Sequence, residues 1–153
     1  MDNANPAYTI YQQALVFWYA YERCMMYIGG IGQIILPIPA MVNAAFSTEL
    51  FLKAILDENG IPFNRREGHT LEHLFHLLPT DQQEAIIKDV SYADFDSNLS
   101  CYSKVFNEFR YLHEDIFKSS GIDLKFWQAF TDAVKKHAEN NVRNKGTPMT
   151  IEF

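Results

Sequence analysis

Arg110 and His113 are the two residues of this chain whose types and spacing best suit chemistry on a charged substrate. In FNEFRYLHEDIF, helical spacing puts Phe106, Arg110, His113 and Phe117 on one side, with Phe109, Leu112 and Ile116 as the adjoining apolar strip. A guanidinium presents a planar fork of donors that matches a carboxylate or a phosphate, and an imidazole changes charge near neutral pH. Together they could steady a phosphodiester and move a proton. Glu114 follows Arg110 by four residues, so the two can also pair along the helix. In that alternative reading Arg110 bridges Glu114 or Glu49 and organises the helices.

Two further groups interrupt otherwise apolar patterns. Val42, Ala45, Phe46, Glu49, Lys53 and Leu56 share one side of a helix, which places a Glu-before-Lys pair inside a hydrophobic stripe. Charges taken out of water must be paired and hydrogen-bonded. The pair is therefore either half-exposed at the edge of the stripe or part of a polar seam. His69, His73 and His76 fall on one face of the next helix, opposite Leu71, Leu74 and Leu78. Imidazoles so spaced are weak metal candidates, because no cysteine or well-placed carboxylate completes a site. The expectation is a polar helix face and no bound cofactor.

Six helices would have to position these residues. The first is predicted from Tyr8 to about Ile28, with Ala14, Leu15, Trp18, Tyr21, Met25 and Ile28 at helical spacing. The stretch GGIGQIILPIP reads as a loop; it lacks the Lys-Ser/Thr of a phosphate-binding loop and no strand precedes it. Pro39 suits the first turn of a second helix reaching about Asn59, stopped by Gly60 and Pro62. Thr70 is an N-cap candidate for a third, which ends before Pro79, and Thr80 with Gln83 has the capping-box pattern for a fourth through about Val90. SYADFDSNLS reads as a connection, Cys101 to about Lys118 as the fifth helix, and Asp123 to about Arg143 as the sixth. The tail 144–153 carries Gly146 and Pro148 and reads as non-helical. Short connections between amphipathic helices predict an all-α, up-and-down antiparallel bundle of five to six helices.

Composition fits one globular domain spanning 1–153, with its helical core over about 7–143: 48% of residues are hydrophobic and 21% charged. Cys24 and Cys101 are too few for a disulfide framework, and both fall in segments read as helical. No charge occurs from Cys24 to Thr48, but Gly29, Gly30, Gly32, Gln33, Pro37 and Pro39 interrupt that run, so no membrane span is expected. MDNANPAYTI lacks the basic and apolar regions of a signal peptide, which gives a cytoplasmic expectation. A net charge of −6 gives no general basis for nucleic-acid binding. An RNA contact would need a local patch, and Arg65–Arg66 and the region of Lys135, Lys136, Arg143 and Lys145 are the candidates.

Three segments taken in order resemble the HEPN family of small helical-bundle domains. NAAFSTELFLKAIL (Asn43–Leu56) is similar to its second-helix pattern, in which a Glu is followed four residues later by a Lys. GHTLEHLFHLL (Gly68–Leu78) resembles its G-H-x-L-x-x-L helix start, and FNEFRYLHE (Phe106–Glu114) resembles its late segment of an aromatic, Arg-Tyr and a Glu. The resemblance implies a homodimer that binds RNA, a nucleotide or a partner protein, through residues such as Glu49, Lys53, His69, Arg110, Tyr111 and Glu114. It also implies two alternatives: a metal-independent endoribonuclease of toxin or antiviral type, with Arg110 and His113 catalytic, and a non-catalytic subunit neutralising a partner such as a small nucleotidyltransferase. Catalytic members separate their Arg and His by four to six residues, whereas two separate Arg110 from His113. Arg66 and His73 have the six-residue gap but lie at the start of the third helix, away from the family's catalytic position. The resemblance therefore implies binding without strong catalysis, with Tyr102, Phe106, His113 and Phe117 at a subunit seam.

Overall fold

A computed structural model describes residues 5–28, 32–33, 37–64, 70–108 and 123–142 of the chain. Helix α1 (Pro6–Cys24) opens on Asn5, whose side chain accepts from the Ala7 amide at 3.1 Å, with Pro6 where a missing amide costs nothing. The helix ends at Cys24, short of the Ile28 expected, and a short antiparallel ladder follows, with β1 (Tyr27–Ile28) on residues expected to be helical and β2 (Gly32–Gln33) in the stretch expected to be loop. Helix α2 (Pro37–Glu58) begins on Pro37, earlier than the Pro39 start expected.

Gly60 ends α2. Its φ of +68° is left-handed, its amide donates to Asp57 O at 3.0 Å, and the Ile61 amide donates to Leu56 O at 2.9 Å. These bonds satisfy carbonyls that the helix end would otherwise leave open, at a φ that glycine adopts without strain.

Helices α3 (Leu71–His76), α4 (Thr80–Val90), α5 (Phe95–Glu108) and α6 (Leu124–Asn141) complete the described elements. The Thr70 side chain caps α3 by accepting from the His73 amide. The expected Thr80–Gln83 capping box does not form. Extended Pro79 is the N-cap, so Thr80 is already helical, and Gln83 Nε2 instead donates to Leu78 O at 2.8 Å. Helix α5 starts at Phe95, inside the segment read as a connection, because buried Phe95 and Leu99 anchor its first turns. Asp123 caps α6 through the amides of Lys125 and Phe126, and its other oxygen accepts from the Tyr92 hydroxyl.

The fold is an all-α bundle. Asn5 bonds Glu58, Tyr11 packs on Phe51, Ser47 donates to Ala14 O, and Phe17 meets Phe46. Rising positions in α1 thus meet falling positions in α2, and the two run antiparallel. Ala7 and Ala14 on α1, with Ala44, Ser47 and Ala54 on α2, are fully buried small residues that let the backbones approach. No residue from Ala40 to Glu58 is exposed, so α2 is the central helix and not an amphipathic one with a single stripe. One core joins all six described helices, with Phe75, Phe95, Phe126 and Phe130 at ring separations of 5.2 to 5.9 Å. Among the described residues, no helix is long and apolar enough to cross a membrane.

Candidate functional site

The described part of the predicted site is the Glu49–Lys53 pair on central α2. Lys53 Nζ lies 2.5 Å from Glu49 Oε1, and the side chains keep only 15% and 11% of their exposure respectively. Ala45, Leu52 and Leu56 beside them are fully buried. The pair thus belongs to the interior surface of α2 and is not a half-exposed edge contact. Water screens it little, which strengthens the attraction and raises the cost of leaving either charge alone. Among the described residues, Lys53 is the ion-pair partner of Glu49.

Thr48, one residue before Glu49, reaches a second polar cluster between α2, α5 and α6. Its hydroxyl donates to Ala44 O at 2.8 Å and lies 3.2 Å from Thr131 Oγ1. Tyr102 is fully enclosed nearby, and burial drives its phenol well above the ordinary tyrosine range, an effect that Thr131, Trp127 and Thr48 oppose. Neither its hydroxyl nor the Trp127 indole N–H makes a hydrogen bond of normal geometry among the described residues. This phenol is a neutral group held in the core, unsuited to exchange protons with a substrate.

Tyr102 was expected at a subunit seam, and the structure corrects that: its ring packs 6.4 Å from Phe130 inside the chain's own core. The expected face was drawn for a helix starting at Cys101. With α5 starting at Phe95, Leu99 and Tyr102 turn inward together with Phe95.

His73 and His76 are exposed on α3, opposite buried Leu71, Leu74 and Leu78, and the His76 ring meets Phe75 edge-on at 5.4 Å. Among the described residues no three His, Cys, Asp or Glu side chains come together as a metal site. His69, Arg65, Arg66, Arg110, Tyr111, His113, Glu114, Phe117, Arg143, Lys145 and the side chain of Phe106 lie outside the described residues. Lys135 and Lys136, taken above as part of a basic patch, are both neutralised by carboxylates: Lys135 by Glu139 at 2.5 Å and Lys136 by Asp89 at 3.0 Å.

The sequence reading missed a cleft between the end of α1 and the middle of α6, walled by Trp18, Tyr19, Tyr21, Glu22, Gln128 and Asp132 among others. Its signal lay in FWYAYE (Phe17–Glu22), which holds more aromatic surface than one buried helix face requires. Comparison with protein-family models, curated proteins and solved structures found no match to this chain.

Proposed function

We propose that this protein is a HEPN-like dimeric module that binds RNA, a nucleotide or a partner protein and lacks strong catalytic activity. The observation that carries the reading is the Glu49–Lys53 pair enclosed on the central helix of an all-α bundle. That is where the resembled pattern sets its charged pair, and an interior ion pair is a costly feature for a helix that needs only to pack. The sequence of the second segment adds support: the predicted Thr70 cap and the burial of Leu71, Leu74 and Leu78 suit the G-H-x-L-x-x-L helix start. The absence of strong catalysis rests on the Arg110–His113 spacing, two intervening residues where catalytic members have four to six.

The test is the mass of the purified chain in solution together with its ligand spectrum. Light scattering at micromolar concentration should give twice the chain mass. Structured RNAs, nucleotides and co-purifying proteins, assayed in parallel, should yield one saturable partner. A monomer that binds none of the three would overturn the reading.

A further inference from the structure

The sequence contains one Asn-Gly step, Asn59–Gly60, and both residues are exposed where α2 ends. An asparagine followed by glycine is the pair most open to deamidation, because glycine sets no side chain in the way of its own backbone nitrogen. The space beside the Gly60 α-carbon is open, so solvent reaches the backbone that would react.

In the folded chain the reacting groups point apart. The Asn59 carboxamide turns back along α2, its Nδ2 donating to Ile55 O at 2.7 Å, and so away from Gly60. It also pairs with the carboxamide of Gln82 on α4. Gln82 Nε2 donates to Asn59 Oδ1 at 3.0 Å, and Asn59 Nδ2 donates to Gln82 Oε1 at 3.4 Å. His137 Nε2 on α6 lies 3.2 Å from that same Gln82 oxygen, so three helices converge on the clamp. The Gly60 amide is itself engaged, donating to Asp57 O at 3.0 Å. Reaction therefore requires the carboxamide to leave Gln82 and Ile55 and swing toward a released Gly60 nitrogen.

We propose that Asn59 is a deamidation site whose rate is set by its clamp to Gln82. Once the clamp opens and solvent base takes the Gly60 amide proton, that nitrogen attacks Asn59 Cγ. The N–Cγ bond forms, the Cγ–Nδ2 bond breaks, and Nδ2 leaves as ammonia with a proton from water. Water then opens the cyclic imide at either carbonyl, leaving aspartate or isoaspartate. The new carboxylate cannot donate to Ile55 O, and it adds negative charge at the negative end of the helix dipole, so the modification loosens the joint between α2 and α4. This inference is independent of the HEPN-like reading.

Peptide mapping by mass spectrometry tests it, on the full chain aged in mildly alkaline buffer with and without urea. Amide-to-acid conversion should concentrate at Asn59 and run more slowly in the folded chain than in urea. Gln82→Ala should speed it roughly tenfold in the folded chain, the opening cost of the two bonds to Gln82, and leave the rate in urea unchanged. Should Gln82→Ala fold poorly by circular dichroism, Gln82→Glu, which loses the Nε2 donor and keeps an accepting oxygen, should give a smaller rise in the same direction. Asn59→Asp should lower the urea midpoint. Conversion concentrated at another asparagine, unchanged rates in the folded Gln82 variants, a rate difference that persists in urea, or an unchanged midpoint in Asn59→Asp would overturn the proposal.

Discussion

Replacing Lys53 by Met measures directly how far the α2 charges are removed from water. The substitution keeps a long side chain at a position with 15% exposure but leaves Glu49, at 11%, without its 2.5 Å partner. An exposed i,i+4 pair contributes about 0.3–0.5 kcal/mol, whereas breaking a fully buried pair costs about 3–5 kcal/mol. The observed exposures lie much nearer the buried limit, with some residual access for water, so the expected loss is about 2 kcal/mol. For a domain of this size, that lowers the urea midpoint by roughly 1 M.

The double variant Glu49→Leu/Lys53→Met should recover to within about 1 kcal/mol of the natural protein, because buried Ala45, Leu52 and Leu56 offer an apolar surround. Urea melts followed by helical circular dichroism on the natural chain, both single variants and the double variant close the cycle. A single-variant loss below about 0.5 kcal/mol, with no coupling, would be the behaviour of a surface pair and would refute the interior placement.

Tyr102→Phe removes a buried hydroxyl that lacks a direct hydrogen bond among the described residues, so stability should stay level or rise by up to about 1 kcal/mol in the same melts; a loss above about 2 kcal/mol would mean the hydroxyl is well satisfied. Ser91 ends α4 at φ 50° and ψ 49°, a left-handed conformation that costs a non-glycine residue, and Ser91→Gly should stabilise by about 1 kcal/mol unless the backbone there relaxes. The Tyr92 hydroxyl, ahead of the Lys125 and Phe126 amides, holds the Asp123 carboxyl below its ordinary range. A depressed carboxyl pKa stabilises the fold above the unfolded value near about 4, and that contribution disappears as pH falls through the folded value. Tyr92→Phe should therefore move the Asp123 titration upward by NMR and bring the acid loss of stability to higher pH; an unmoved titration would remove Tyr92 as the cause.

Local signals made much of the fold legible. Apolar positions at helical spacing marked α1 and α2, Thr70 marked the start of α3, and Gly60 marked the end of α2. The errors arose where tertiary packing decided. Phe95 and Leu99 draw a polar-looking stretch into α5, and Pro79 takes the cap position that Thr80 seemed to claim. Tyr102 then turns inward, because moving the helix start changes which residues share a face. The Glu49–Lys53 pair was visible from spacing alone, but its enclosure depended on α2 being surrounded, which one helix's periodicity cannot state. The α1–α6 cleft was harder still. Tyr21 and Asp132 lie far apart in sequence and meet only because the first and last described helices pack together, bringing the Tyr21 ring 5.4 Å from Trp127.

Incubating the purified chain with transfer, ribosomal and messenger RNA in EDTA tests the central claim most directly, with Arg110→Ala and His113→Ala variants alongside. A binding module without strong catalysis leaves all three substrates intact over hours, and the variants behave as the natural chain does. Metal-independent cleavage by the natural chain that both variants lose would contradict the claim and make Arg110 and His113 a catalytic pair despite their short spacing.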